Sequence, residues 1–483
     1  MGARPFGRAP AVLATMSGVG DEVDDQGLTR AAEKMRAAGA HQEAIRSFED
    51  AYKRLISGGE SLLPTAELEP VGDVPSFEDL PEADAAKALG QTALIKLNGG
   101  LATSMGLQEP KSLIEVHGGH TFLDVIVGQA KALRARYGVQ LPLILMDSDA
   151  TREATLAALE SMGGIDNGGL DSDFLQSMIP KLDASTLAPA AWPDAPALEW
   201  CPPGHGDVYG ALRRSGMLAS LRERGIRYAM ISNADNLGAQ LDPRIVAHMA
   251  EHAIPFLMEV VQGTEADRKG GHVARRRSDG QLVLRETAQT PVADQESFRD
   301  FRRWRYYNTN TLWVDLDVLS ERLEDRGGVL PLPLIVNRKT VDPRDGDSPD
   351  VIQLESAMGA AIESFEGASL LLVPRTRFAP VKTTDDLLVL RSDVYTLSED
   401  MVVAALPERA SNLPYVELDK DYYKLIDDFE RRFPEGPPSL KLAERLVVSG
   451  DVTFGADMIV LGAVSVSVDH PTTLPAGTTL DGG

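Results

Sequence analysis

The chain has 483 residues, 43% of them hydrophobic and 25% charged, which is the composition of a globular protein with room for roughly two or three domains. A net charge of −24 argues against nucleic acid and against an anionic membrane surface as partners, because both call for clustered lysine and arginine. A polyanionic small substrate stays compatible with that charge if a few local cations offset the global field.

Taken in chain order, Met1 to Thr15 carries Arg4 and Arg8 and no acid. It reads as a disordered extension with Met16 as an alternative start, or as a transit-like tail. Asp21 to Ser57 reads as helical, with Ile45, Phe48, Tyr52 and Leu55 on one face and Gly58-Gly59 as the stop. Residues 60–90, with Pro64, Pro70, Pro75 and Pro81, read as a surface linker. From Ala93 onward, apolar strands (Ala93–Leu97, Leu141–Met146, Arg227–Ser232) alternate with helices (Thr121–Tyr137, Thr151–Met162). That alternation predicts an α/β fold with a largely parallel, doubly wound sheet, whose ligands bind beyond the carboxyl ends of the strands. Phe256–Val261, Gly271–Arg275, Leu282–Leu284, Leu312–Val314 and Leu370–Val373 read as further strands. After about residue 395 the short strands Leu446–Val448, Val452–Phe454, Met458–Leu461 and Val464–Val468 recur with Gly450, Gly455 and Gly462. This rhythm suggests turns of a parallel β-helix, with an antiparallel meander as the plainer alternative. The resulting division is 1–92, 93–394 and 395–483. The one cysteine, Cys201, excludes an intrachain disulfide and fits a reducing compartment. No run reaches the roughly 18 apolar residues of a membrane span.

The most informative stretch follows the first of those strands. Leu97-Asn98-Gly99-Gly100 leads through a loop to Pro110-Lys111-Ser112. Paired glycines let backbone N–H groups approach a ligand closely, and a lysine nearby adds a mobile charge suited to phosphate. The spacing is not that of the common P-loop. Asp235, two residues after Asn233 at the end of an apolar strand, is placed either to hold a divalent cation or to cap an Asx turn. His205 lies between Gly204 and Gly206 after Pro202-Pro203, where it is either a ligand contact or an uninvolved loop histidine. Asn308 and Asn310 offer donors and acceptors suited to sugar hydroxyls, or serve a turn.

The wording of these segments resembles the long, eukaryote-type UTP–glucose-1-phosphate uridylyltransferases (UDP-glucose pyrophosphorylases). It is carried by Lys96-Leu97-Asn98-Gly99-Gly100-Leu101, Thr103-Ser104-Met105-Gly106, Pro110-Lys111-Ser112, Pro202-Pro203-Gly204-His205-Gly206-Asp207, Ile231-Ser232-Asn233-Ala234-Asp235 and Pro380-Val381-Lys382-Thr383-Thr384. Five positions depart from the family's usual pattern: Ala102 and Glu109 in the loop, Cys201, Gly263, and His272 after Lys269-Gly270-Gly271. Glu109 puts a carboxylate next to the phosphate loop.

The resemblance implies a GT-A-like, Rossmann-type nucleotidyltransferase with a doubly wound mixed sheet and a C-terminal parallel β-helix. The implied reaction makes UDP-glucose and pyrophosphate from UTP and glucose 1-phosphate with Mg²⁺, in the cytoplasm. Lys111 and Lys382 are the implied catalytic cations. Leu97, Asn98, Gly99, Gly100, Lys111, Gln176, Gly204, Asn233, Asp235 and Lys382 are implied on the nucleotide side, with Asp235 the metal ligand. His205, Lys269, Asn308, Asn310 and Glu355 are implied on the sugar-phosphate side. The tail reads as shortened relative to the family, so a monomer or small homo-oligomer is expected. The runner-up functions are the same chemistry on another sugar 1-phosphate (N-acetylglucosamine or galactose) and a non-catalytic UDP-sugar sensor.

Overall fold

The computed structural model describes residues 20–58, 62–102, 105–343, 345–410 and 412–482. The expectation for Met1 to Thr15 and the motif residues Thr103 and Ser104 lie outside the described residues.

The expected N-terminal helix is two helices, α1 (Gly20–Ala37) and α2 (Gln42–Ile56), parted by a turn in which Gly39 has φ +78°. His41 caps α2, its Nδ1 accepting the Glu43 N–H. The face carrying Ile45, Phe48 and Tyr52 is buried against Ile179, Leu182, Cys201, Leu334 and Leu354. Residues 60–90 are more than a linker. Leu68–Pro70 forms β1, an edge strand of the main sheet, and Leu68, Val71 and Leu80 are buried. Proline ends that strand, as suits an edge.

The main sheet has ten strands. They are β1, β2 (Thr92–Leu97), β3 (Leu143–Asp147), β4 (Asp173–Leu175), β5 (Tyr228–Asn233), β6 (Phe256–Gln262), β7 (His272–Arg276), β8 (Leu282–Arg285), β9 (Tyr306–Asp315) and β10 (Ser369–Leu372). The path runs β1-β7-β9-β5-β2-β3-β4, with β8 on β7, β6 on β9 and β10 on β6. Strands β5, β2, β3 and β4 are mutually parallel, as the alternation predicts. The sheet as a whole is mixed, because β9 pairs antiparallel with both β5 and β6.

Period-two alternation decides which side each residue faces. Leu94, Tyr228 and Met230 belong to one apolar cluster, and Ala93, Ile95, Ala229 and Ile231 to the other. Helix α3 (Phe122–Tyr137), opened by a Thr121/Asp124 capping box, covers the first face. The helices Val208–Arg214 and Met217–Glu223 cover the second, so the sheet is wound on both sides.

Two strands differ from expectation. Asn308-Thr309-Asn310 does not precede a short strand but lies within the ten-residue β9. The register with β6 slips there, between Met258 and Val260, and Asn310 takes φ +55°. In the C-terminal region, Met458–Leu461 and Val464–Val468 merge into one strand, Ile459–Ser467, which bends at Gly462 with φ +64°. Two parallel ladders stack here: Tyr415–Leu418, Ser439–Ser449, Ile459–Ser467 and Thr479–Asp481 in one, Val452–Phe454 and Thr472–Leu474 in the other. Among the described residues the antiparallel pairing after residue 395 is that of Tyr395–Leu397 with Val403–Ala405, and the pairings from Tyr415 to Asp481 are parallel. Leu446, Val452, Phe454 and Val460 join the same apolar cluster as Leu123 and Ile126 of α3. The C-terminal ladders therefore pack as part of the body. Among the described residues no helix is long and apolar enough to cross a membrane.

Candidate active site

The carboxyl ends of β2, β3, β4 and β5 meet at one cleft of about 250 Å³, lined by Leu97–Gly100, Lys111, Gln176, Gly204, His205 and Asn233–Asp235 among others. This is where a parallel sheet binds ligands, since each strand hands its last polar residue to the same edge.

The glycine loop is a small antiparallel clasp. Leu101 bridges Pro110, Ala102 N–H donates to Glu109 O, and Lys111 N–H donates to Gly100 O at 3.1 Å. The clasp delivers Lys111 to Asp235, Nζ to Oδ2 at 2.7 Å, with both side chains about one-fifth exposed. The other carboxylate oxygen, Asp235 Oδ1, is buried without a partner. Glu109 is exposed, and the Lys111 ammonium turns to Asp235. Ala102 is 1% exposed with no left-handed backbone, so it replaces glycine without strain. A Cβ on Gly263 would sit 2.5 Å from the Tyr307 ring, which explains glycine there.

Gly99 and Gln176 form a close contact. A Cβ on Gly99 would lie 2.5 Å from Gln176 Nε2. Asn98 is 3% exposed, and its Nδ2 is taken up by Asp147 Oδ1 at 2.7 Å and Thr155 Oγ1 at 2.9 Å. Asn98 therefore acts on the cleft through the loop it anchors, not through that amide nitrogen.

The Gly204–His205 loop is seated on Glu355-Ser356. Gly204 has φ +77°, and a Cβ there would lie 2.5 Å from Ser356 O. Ser356 N–H donates to Pro203 O, and Gly206 N–H donates to Ser356 O. His205 Nδ1 accepts the Met358 N–H at 3.0 Å, and burial lowers the ring's pKa to about 4. A backbone N–H can only donate, so Nδ1 is unprotonated and the neutral ring carries its hydrogen on Nε2. That leaves His205 one donor for a ligand.

The remaining expected residues are distributed more widely. Lys382 follows Val381, whose N–H donates to Asp235 O, and Pro380 bridges Asn236, so the lysine segment is docked on the aspartate turn. Its side chain is exposed. Burial pushes the Glu286 carboxyl up to about 7, against the opposing pull of the Lys382 charge. Asn308 Nδ2 donates to Asn310 Oδ1 and Asn310 N–H to Asn308 Oδ1, a mutual lock beside Gly359. Lys269 lies farther out. It sits on an exposed loop outside the cleft lining, and its carbonyl accepts Thr287 Oγ1. Glu355 also lies outside that lining. It faces a second cavity of about 240 Å³ between α2 and Leu330–Leu334, with Lys339 Nζ at 3.9 Å.

Three groups escaped the sequence reading. Asp147 anchors Asn98. Glu286 presses its carboxylate against Gly271 and feels Lys382. Glu259, a lone acid within an apolar strand, is fully buried and receives Arg377 at 2.6 and 2.8 Å and Trp313 Nε1 at 2.9 Å. Arg377 also donates to Gln240 O, so this ion pair ties the Lys382 segment to the turn after Asp235. An acid breaking an apolar run was the available signal for Glu259. For Asp147 it was a polar residue ending a parallel strand.

The family model described as UTP–glucose-1-phosphate uridylyltransferase matches residues 45–461. The chain is 37% identical over 407 residues to UTP–glucose-1-phosphate uridylyltransferase 2 of Dictyostelium discoideum, covering 83% of this chain and 78% of that one. It is 38% identical over 411 residues to the Solanum tuberosum UTP–glucose-1-phosphate uridylyltransferase, covering 84% and 82%. Among solved structures, the UDP-glucose pyrophosphorylase of Leishmania major superposes with a TM-score of 0.88 at 42% identity, covering 95% of this chain and 98% of that one. A variant of that protein in complex with UDP-glucose matches with the same TM-score of 0.88. A Trypanosoma brucei structure described as UDP-glucose phosphorylase matches at 39% identity and TM-score 0.88, covering 95% and 99%. The chain belongs to the UTP–glucose-1-phosphate uridylyltransferase family.

Proposed function

We propose that this family member catalyses the reversible reaction of UTP with glucose 1-phosphate to give UDP-glucose and pyrophosphate. The observation that supports it most is the convergence of Leu97–Gly100, Lys111, Gln176, Gly204, His205 and Asp235 on one cleft. In the reaction, a phosphate oxygen of glucose 1-phosphate attacks the α-phosphorus of UTP and the bond to the β-phosphate bridging oxygen breaks. The nucleophile has a second pKa of about 6, so it is largely ionised at neutral pH and needs no strong base. The obstacle is repulsion between two anions, so the work is positioning and charge stabilisation.

The geometry supports a division of roles. The Leu97–Gly100 loop, Gln176 and Gly204 take the uridine. Lys111 swings from Asp235 to the phosphates of UTP, and Lys382 meets the incoming phosphate. His205 Nε2–H donates to the sugar phosphate. Asn308 and Asn310, joined by Glu286, frame the sugar. Lys269 sits at the outer rim. The chain's residues fit a magnesium ion. Asp235 Oδ1 is a buried carboxylate oxygen without a partner. Mg²⁺ is readily held by one carboxylate plus substrate phosphates, the kind of donor Asp235 offers here. When bound, Mg²⁺ supplies charge neutralisation at those phosphates.

We also read the stacked C-terminal ladders as turns of a parallel β-helix, and the protein as a cytoplasmic monomer or small homo-oligomer divided at about residues 92 and 394. Light scattering that gave an octamer would contradict the last point. The function is tested by pyrophosphate release from UTP with glucose, galactose and N-acetylglucosamine 1-phosphates, with and without Mg²⁺. The expected result is Mg²⁺-dependent turnover fastest with glucose 1-phosphate. Faster turnover with another sugar would reassign the substrate, and UDP-glucose binding without turnover would indicate a sensor.

A further inference from the structure

Asp147 ends β3 directly beneath the nucleotide side of the cleft and is 0% exposed. Its Oδ1 accepts two hydrogen bonds, from Asn98 Nδ2 at 2.7 Å and Thr151 Oγ1 at 3.1 Å. Its backbone carbonyl accepts the Gln176 N–H at 2.8 Å. The next residue continues the tie, since Ser148 Oγ donates to Gly99 O at 3.0 Å. One strand end thus holds the glycine loop from one side and Gln176 from the other, and those two partners touch each other at Gly99. The second carboxylate oxygen, Oδ2, is buried and has no hydrogen-bond partner. A buried acid with one oxygen unpartnered is costly, and apolar residues would pack the strand end more cheaply, which points away from a purely structural role.

We propose that Asp147 is the positioning residue of the nucleotide site: it fixes the Asn98–Gly99 loop relative to Gln176 and thereby sets affinity for the uridine nucleotide rather than the rate of the chemical step. The inference rests on the proposed assignment of this cleft to UTP. Its physical basis is that the carboxylate oxygen, held in place by Thr151 Oγ1, accepts a charge-assisted hydrogen bond from Asn98, so the loop's position depends on the carboxylate. The carboxyl also supplies a signature. Burial pushes its pKa up to about 6, against the lowering by its bonds from Asn98 and Thr151. The charged groups facing it are Asp173 on β4, which raises it further, and Arg152 on the following helix, which is paired with Asp173 at 2.6 Å. Protonation replaces charge-assisted bonds with weaker neutral ones, so the loop loosens as pH falls through about 6.

The experiment is steady-state kinetics of the full chain with Asp147→Ala and Asp147→Asn. Loss of both bonds in Asp147→Ala should raise KM for UTP about tenfold or more, with kcat and KM for glucose 1-phosphate changed by less than about threefold. Asp147→Asn keeps an oxygen for both donors but only neutral bonds, so at about pH 8 its KM for UTP should fall between those of wild type and Asp147→Ala. The ratio of KM for UTP between wild type and Asp147→Asn cancels the titration of UTP itself. That ratio should rise as pH falls from about 7 to about 5.5, across the carboxyl's pKa of about 6. Equal increases in both KM values, or a flat ratio across that range, would overturn the proposal. The Asn variant keeps the test decisive should Asp147→Ala fail to fold. Absence of UDP-glucose synthesis by the wild type would instead remove the functional assignment itself.

Discussion

Replacing Lys111 by methionine keeps the aliphatic stem and deletes the charge. In the structure that ammonium lies 2.7 Å from Asp235 Oδ2, with the two side chains 21% and 19% exposed. Two effects follow, of very different size. The pair itself is partly solvated, so losing it costs the fold about 1 kcal/mol or less, and the melting temperature should fall by at most about 2 °C. In the reaction the same ammonium is to stabilise charge developing on the phosphates. One such contact contributes about 2–4 kcal/mol of transition-state stabilisation, so kcat/KM should fall roughly 10²–10³-fold. The variant also leaves Asp235 with neither oxygen paired, since Oδ1 has no partner already. Lys111→Met and Asp235→Asn should therefore be less than additive, as expected of residues acting on one site. A coupled pyrophosphate-release assay beside a thermal melt separates the two effects. Activity within about threefold of wild type, or a loss that tracks unfolding, would refute the assignment of Lys111 to the phosphates.

Lys382→Ala removes an exposed side chain, so stability should be unchanged while turnover falls roughly 10²-fold or more in the same assay. Gly99→Ala places a methyl 2.5 Å from Gln176 Nε2, and should raise KM for UTP with little change in KM for glucose 1-phosphate. Gly204→Ala meets both a φ of +77° and a backbone oxygen at 2.5 Å, so it should lower both melting temperature and activity. For His205, the folded ring takes its proton near pH 4 and the unfolded ring near 6.5. The unfolded state then binds more protons between those values, and stability should fall as pH drops from about 6.5 to about 4. His205→Gln should flatten that part of a denaturation-versus-pH series.

The nucleotide half of the cleft was readable in the sequence because its residues fall in short polar runs that end apolar strands. Leu97–Gly100 and Asn233–Asp235 each end an apolar strand, and parallel pairing of β2 with β5 brings those ends side by side. The sugar half was harder to read. Asn308 reaches His205 only through Met358 and Gly359, more than a hundred residues along the chain from the histidine. Tertiary pairing also overrode local signals. A proline-rich stretch became edge strand β1 because β7 offered it a partner, and Asn-Thr-Asn became strand because β9 is clamped between β5 and β6. Asp147 was hidden because nothing along the chain says that a strand-ending acid faces Asn98; only the register of β2 with β3 does.

The most direct test of the whole account is a crystal structure of the chain with UTP and Mg²⁺. The uracil should lie between Gln176 and Gly204, the phosphates should turn toward Lys111, and an ion should contact Asp235 Oδ1. A nucleotide bound away from the Leu97–Gly100 loop, or phosphates directed away from Lys111 and Asp235, would contradict it.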